Sequence, residues 1–190
     1  MRRKCRNCPR KYVNIDFCPQ IEVFNCDYTY LENDLLEAIK EFYKNDIELI
    51  SRSVHELCIT GHIFHYFSSK FAEKYSQYNM DPEYNRNGND PKRYVEDKYA
   101  RPDMIIHKRN CNKYNLLYIE FKVNGYSYDQ HDTLKIKEFV SDREHSYNYK
   151  YGVSVILGLR DVKMLWYKNG ENDSIAESVF DVKTWRKRNA

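Results

Sequence analysis

The sequence predicts an α/β domain in which helices flank a β-sheet. Three observations lead to this prediction. Apolar residues at helical spacing follow residue 30, two strand-length apolar segments lie between residues 104 and 123, and an amphipathic segment near residue 130 precedes two further strand-like segments. Helical and extended segments that alternate in this way are typical of α/β folds. The 190 residues predict one such domain over residues 29–190, behind a basic, cysteine-containing segment of residues 1–28.

Composition and charge limit the class of protein. Hydrophobic residues make up 42% and charged residues 31% of the chain, which is typical of a folded, soluble domain. The net charge of +3 does not by itself indicate a nucleic-acid-binding protein. Both ends of the chain are basic, however, so they either contact a phosphate backbone or form solvated tails.

The cysteines and the apolar segments bear on location. The basic start is not followed by a signal-peptide apolar segment, and no stretch approaches the ~20 apolar residues of a membrane span. A cytoplasmic protein with reduced cysteines is therefore expected. Four thiols near the N-terminus form a candidate structural zinc site, although unligated thiols are favoured because the second pair is widely spaced. These thiols are Cys5, Cys8, Cys18 and Cys26.

Two helices are predicted in the first half of the domain. Apolar residues recur at helical spacing from Leu31 to about Asp46, and again on one stripe from Ile59 to Phe71. Glu56 falls on this second stripe, three residues before Ile59. A carboxylate on an apolar helix face is a candidate ligand. The alternative is a capping box, in which Glu56 reaches back to the backbone of Ser53 at the helix start.

The segment from residue 101 to residue 123 carries the clearest chemical pattern. It predicts a hairpin of two strands, with Met104–Ile106 in the first and residues 115–123 in the second. Alternate side chains of a strand share a face, so Glu120 and Lys122 leave a buried strand on the same side. A buried charge requires a partner or a metal. If Asp103 lies alongside, two carboxylates and an ammonium group surround a site suited to Mg²⁺. The opposite face of the second strand carries an apolar row: Leu117, Ile119, Phe121 and Val123.

This pattern resembles the PD-(D/E)xK nuclease superfamily, whose fold is called restriction-endonuclease-like. Pro102-Asp103 matches the PD element and Glu120-Phe121-Lys122 matches the E-x-K element. The helix from Glu56 to Phe67 resembles the E-R-S-I-T-H-x-L-A-x-Y-L helix of a small prokaryotic branch of unassigned role, although Leu57-Cys58 stands in place of Arg-Ser. The resemblance implies a central mixed sheet of four to five strands flanked by helices.

The resemblance also implies a set of site residues. Asp103 and Glu120 would bind Mg²⁺ or Mn²⁺, with the Phe121 carbonyl as a further ligand. Lys122 would act on the attacking water or the phosphate, and Glu56 would assist the metal site. The implied activity is metal-dependent hydrolysis of phosphodiester bonds in nucleic acid, with DNA favoured over RNA. The alternative is a catalytically silent module that binds nucleic acid or a protein. Many relatives act in pairs, so a homodimer is compatible with this interpretation.

Further elements and contacts are assigned from the remaining segments. Tyr84–Arg86 is predicted to end the first strand, before a polar loop. A helix over residues 129–140 resembles the family helix that follows the E-x-K element. Strands are predicted over residues 149–158 and 162–167, and the segment 175–185 fits either a strand or a helix. Four basic residues are candidate contacts for nucleic acid, with a solvated surface as the alternative: Arg86, Lys92, Arg93 and Lys135.

Overall fold

A mixed sheet of six strands forms the centre of the computed structural model, with helices packed on both faces. The structure describes residues 27–87, 90–94, 98–109, 114–124, 127–142 and 147–188. The predicted zinc ligands and most of the predicted N-terminal segment lie outside these residues. In the described part of the chain, no helix has the length and apolarity needed to cross a membrane.

The helices are α1 (Tyr28–Asp46), α2 (Glu48–Ser51), α3 (Glu56–Phe71) and α4 (Gln130–Phe139). The strands of the sheet are β1 (Asn79–Pro82), β6 (Met104–His107), β7 (Leu117–Val123), β8 (Tyr151–Leu157), β9 (Asp161–Lys168) and β10 (Ala176–Asp181). Four two-residue strands pair outside it: β2 (Arg86–Asn87) with β3 (Asp90–Pro91), and β4 (Arg93–Tyr94) with β5 (Lys98–Tyr99).

The strand order in the sheet is β1-β6-β7-β8-β9-β10. The β7–β8 pair is parallel and the other pairs are antiparallel. The parallel pair requires a crossover connection, and α4 lies between these two strands in sequence. The prediction of an α/β fold with a mixed sheet is confirmed. The sheet has six strands rather than four to five, because the undecided segment 175–185 supplies the edge strand β10.

Two hydrophobic clusters hold the layers together. Apolar residues of α1 and α3 pack against one face of the sheet, including the predicted row of Leu117, Ile119 and Phe121. On the other face, Tyr118 packs with Ile136 and Phe139 of α4. The predicted alternation of β7 is therefore confirmed. Its polar positions face the layer that contains α4.

Two local predictions need correction. The first strand ends at Pro82 and does not include Tyr84. Proline lacks the N–H that a strand needs, and Glu83 adopts a left-handed backbone with φ 50°, so the chain turns there. The first helix begins at Tyr28, before the predicted Leu31, because the Asp27 carboxylate caps it by accepting the Thr29 N–H.

Candidate metal and phosphate site

The site forms where β7 extends beyond the end of β6. Strand β6 begins at Met104, which lies opposite Ile119, so the last residues of β7 have no strand partner on that edge. Carboxylates take the place of the missing strand. Asp103 Oδ2 accepts the Phe121 N–H at 2.7 Å, and Glu56 Oε2 accepts the Val123 N–H at 3.0 Å. Two acids that are distant in sequence are thereby fixed at one sheet edge, because unpaired backbone donors are costly to bury.

Glu56 thus has a partner different from the one that a capping box requires. Ser53 is not the helix cap. The cap of α3 is His55, whose Nδ1 accepts the Leu57 N–H at 3.2 Å. The capping-box alternative is therefore wrong, and the Glu56 side chain reaches across to β7 instead.

Glu120 immediately precedes Phe121 on β7, and its side chain lies on the face covered by α4. It is 3% exposed, and its Oε1 accepts hydrogen bonds from the Tyr118 hydroxyl and from Lys135 Nζ, the latter at 3.1 Å. The register of Met104 with Ile119 places Asp103 opposite Glu120 when it is continued by one residue. Facing residues of neighbouring strands have their side chains on the same face of the sheet. The two carboxylates of the E-x-K and PD elements are therefore neighbours.

The shared burial of these acids raises their pKa values. Burial is the main cause that raises the pKa of Glu120 to about 8, and the negative charge of Asp103 adds to it. Burial likewise raises the pKa of Asp103 to about 6, with the charge of Glu56 adding to it and the Phe121 N–H opposing it. Carboxylates gathered in a poorly hydrated place favour protonation. A bound cation would offset the same excess of negative charge.

Two lysines contact the acidic group in different ways. Lys135 is 13% exposed and lies 2.8 Å from Asp132 Oδ1 in addition to its contact with Glu120. Lys122 is 39% exposed and lies 3.8 Å from Asp132 Oδ2. The motif lysine therefore stands at the edge of the site, whereas Lys135 is inserted into it.

Asp132 and Tyr118 are not among the predicted site residues, yet Tyr118 contacts Glu120 and Asp132 contacts Lys135. Tyr118 shares a strand face with Glu120, two residues away, so its position is readable from the period of the strand. Asp132 and Lys135 are three residues apart on one helix, a spacing that favours an ion pair. That this pair meets Glu120 depends on how α4 lies on the sheet, which the sequence does not state.

The donor atoms are oxygens, the type of ligand that a hard divalent cation prefers. One carboxylate oxygen in each of Glu56, Asp103 and Glu120 accepts a hydrogen bond from a protein donor. Among the residues that the structure describes, no protein donor contacts the second oxygen of any of the three. The Phe121 carbonyl leaves the strand on the same side as its N–H, toward Asp103. Mg²⁺ prefers oxygen ligands and usually takes one or two carboxylates with water.

A more compact group of metal-ligand atoms lies at the start of α4. One potential ligand atom from each of Asp129, His131 and Asp132 lies within 4.8 Å of the others. Among the described residues, the carboxylate oxygens of Glu56, Asp103 and Glu120 do not form a group this compact. Asp129 is the helix cap, and its Oδ1 accepts the N–H groups of His131 and Asp132 at 2.7 and 3.3 Å. The capping role accounts for the position of Asp129 without a metal.

The predicted phosphate contacts have unequal positions. Arg86 is exposed, and Arg93 is half-buried with its guanidinium 4.4 Å from the centre of the Tyr99 ring. Lys92 does not fit the prediction, because it is 3% exposed. Its Nζ donates to the Arg86 carbonyl at 2.8 Å and lies 4.7 Å from the centre of the Tyr84 ring. Burial lowers the pKa of Lys92 to about 7.

Comparison with known proteins gives little further information. No family model matches the sequence, and no curated protein does. A cryo-electron-microscopy structure of a DrdV–DNA complex is similar, with a TM-score of 0.45 and 14% identity. The match covers 77% of this chain and 12% of that chain. A similarity of this size does not decide the fold family or the function.

Proposed function

We propose that this protein is a metal-dependent nuclease of the PD-(D/E)xK type that hydrolyses phosphodiester bonds in nucleic acid, with DNA as the favoured substrate. The observation that carries the proposal is the closeness of Asp103, one residue before β6, to Glu120 of β7, with Glu56 on the neighbouring backbone and Lys135 on Glu120. Acids and amines from four separate segments meet at the end of one strand. Such a group is costly to bury, and buried groups with shifted pKa values are concentrated at functional sites.

The roles follow from position and exposure. Asp103, Glu120 and the Phe121 carbonyl would hold Mg²⁺ or Mn²⁺, with Glu56 completing or orienting the group. The cation would lower the pKa of a bound water and offset charge on the phosphate. Lys122 is the more exposed of the two lysines, so its ammonium group is the one available to an incoming phosphate or water. Its role would be electrostatic stabilisation of the transition state.

A basic and an aromatic group near the start of α4 suit a nucleic-acid substrate. Tyr99 is 70% exposed and is stacked by Arg93 on the β4–β5 pair. This pair is joined to α4 by the hydrogen bond between the Tyr94 hydroxyl and His131. Exposed aromatic rings stack on bases, and guanidinium groups bind phosphates. These residues would therefore hold a strand beside the acidic group.

The test is a cleavage assay on labelled DNA and RNA, single- and double-stranded, with Mg²⁺, Mn²⁺ or EDTA. Cleavage is expected with a divalent cation and not with EDTA. Lys122→Ala is expected to lose about 100-fold or more of the rate, as for loss of one group that stabilises the transition state. Lys137→Ala is the matched control, because Lys137 is equally exposed at 39% and pairs with the exposed Asp173. Equal activity of Lys122→Ala and the unaltered protein would refute the proposal.

The second candidate function is a nucleic-acid-binding module without catalysis. It is favoured by one observation: Glu56, Asp103 and Glu120 do not form a compact ligand group, and one oxygen of Glu120 is occupied by Lys135. This candidate predicts binding of labelled DNA or RNA that is equally strong with EDTA and is followed by no cleavage. Cation-dependent cleavage excludes it.

A further inference from the structure

The position of Lys135 bears on how many cations the site accepts. Its ammonium group lies 3.1 Å from Glu120 Oε1 and 2.8 Å from Asp132 Oδ1, and its side chain is 13% exposed. Two-metal sites of hydrolytic enzymes place their ions ~3.5–4 Å apart and share ligands between them. Here a fixed positive charge already lies between a proposed metal ligand, Glu120, and a second carboxylate, Asp132.

The carboxylate oxygens that no protein donor contacts favour one ion. A carboxylate that bridges two ions commonly places one oxygen on each. Glu120 has Oε1 committed to Lys135 and to the Tyr118 hydroxyl, and Asp103 has Oδ2 committed to the Phe121 N–H. Glu56 has Oε2 committed to the Val123 N–H. Each acid therefore has one oxygen without a protein donor, which favours ligation of a single ion over a bridge between two.

We infer that Lys135 serves as a built-in counter-charge in place of a second cation, so that the site binds one divalent ion per chain. The inference rests on the proposed function and specifies its metal requirement. Lys135 is a positioning residue in this account, because it acts through Glu120 and Asp132. It differs in this from Lys122, which stays at the exposed edge for the substrate.

The test is the stoichiometry of Mn²⁺ binding, measured by calorimetric titration and by electron paramagnetic resonance, which detects spin coupling between neighbouring Mn²⁺ ions. The unaltered protein is expected to bind one Mn²⁺ with no spin coupling. Lys135→Met, which removes the charge, is expected to bind a second Mn²⁺ and to show spin coupling. Lys135→Arg keeps the charge and is expected to bind one. Lys137→Met, on the same helix, is the control and is also expected to bind one.

The outcomes separate the inference from the proposed function. Two Mn²⁺ in the unaltered protein, or only one in a folded Lys135→Met, overturns the inference and leaves the nuclease proposal standing. No Mn²⁺ in the unaltered protein overturns both. Circular dichroism shows whether Lys135→Met folds. If it does not, Lys135→Gln, which keeps a hydrogen-bond donor to Glu120, carries the same expectation of a second ion.

Discussion

The strongest consequence of the site for stability concerns the charge of Glu120 in the absence of metal. Burial and the neighbouring Asp103 raise its pKa from 4.5 to about 8. Between pH 4.5 and about 8, the folded protein therefore keeps a proton on the Glu120 carboxyl that the unfolded chain has released. Its contribution to stability is complete below pH 4.5 and is lost as the pH rises through about 8. At ~1.4 kcal/mol for each pH unit, falling to half of that at the folded pKa, the loss between pH 6 and pH 8 is about 2 kcal/mol.

Glu120→Gln removes this dependence, because an amide does not ionise. The amide oxygen still accepts the Tyr118 hydroxyl, and Lys135 keeps its contact with Asp132 at 2.8 Å. Urea unfolding of metal-free protein at pH 6 and pH 8 measures the effect. The unaltered protein is expected to lose about 2 kcal/mol more than Glu120→Gln over this interval.

The buried Lys92 has a pH dependence of opposite sign, so the difference between the two proteins, rather than either profile alone, is the quantity to compare. The exposed Glu73→Gln serves as the control and should follow the unaltered protein. The same change of unfolding free energy in Glu120→Gln and the unaltered protein would refute the reasoning.

Three further changes test the surroundings of the site. Burial lowers the pKa of Lys92 from 10.5 to about 7, so above pH 7 the folded state binds fewer protons than the unfolded chain and the free energy of unfolding rises with pH. Urea unfolding of Lys92→Met at pH 7 and pH 9 should lack this rise. A rise equal to that of the unaltered protein would contradict the expectation. A Cβ at Gly152 would lie 2.5 Å from Ile136 Cγ2. Overpacking should therefore lower the free energy of unfolding of Gly152→Val by about 1–3 kcal/mol, as measured by thermal unfolding. Unchanged stability would mean that α4 is not packed on β8 as described. Tyr118→Phe removes a hydrogen-bond donor to Glu120. It should lower the free energy of unfolding by about 1.5–3 kcal/mol at pH 9, where the carboxylate is ionised. Urea unfolding equal to that of the unaltered protein would show that the hydroxyl contributes nothing.

The hairpin and its two faces were predictable because they depend on local periodicity. Alternation along residues 117–123 fixes which side chains of β7 face each layer, whatever the rest of the chain does. The adjacency of Asp103 and Glu120 follows from the same hairpin, because the register of an antiparallel pair is set over a few residues.

The rest of the site depends on tertiary placement that no local pattern encodes. Glu56 has its role because β6 starts at Met104 and leaves the Val123 N–H unpaired. Lys135 reaches Glu120 because Gly152 allows Ile136 of α4 to approach β8 closely. Lys92 looks like a surface lysine in sequence, yet its ammonium group is enclosed by tyrosine rings. These are consequences of packing between distant segments.

The most direct measurement of the central claim is the location of Mn²⁺ by anomalous diffraction from crystals soaked in MnCl₂. We expect an anomalous peak within about 2.5 Å of carboxylate oxygens of both Asp103 and Glu120, the upper range of bond lengths between hard cations and oxygen. A peak at Asp129, His131 and Asp132 instead, with none at Asp103 and Glu120, would contradict the account.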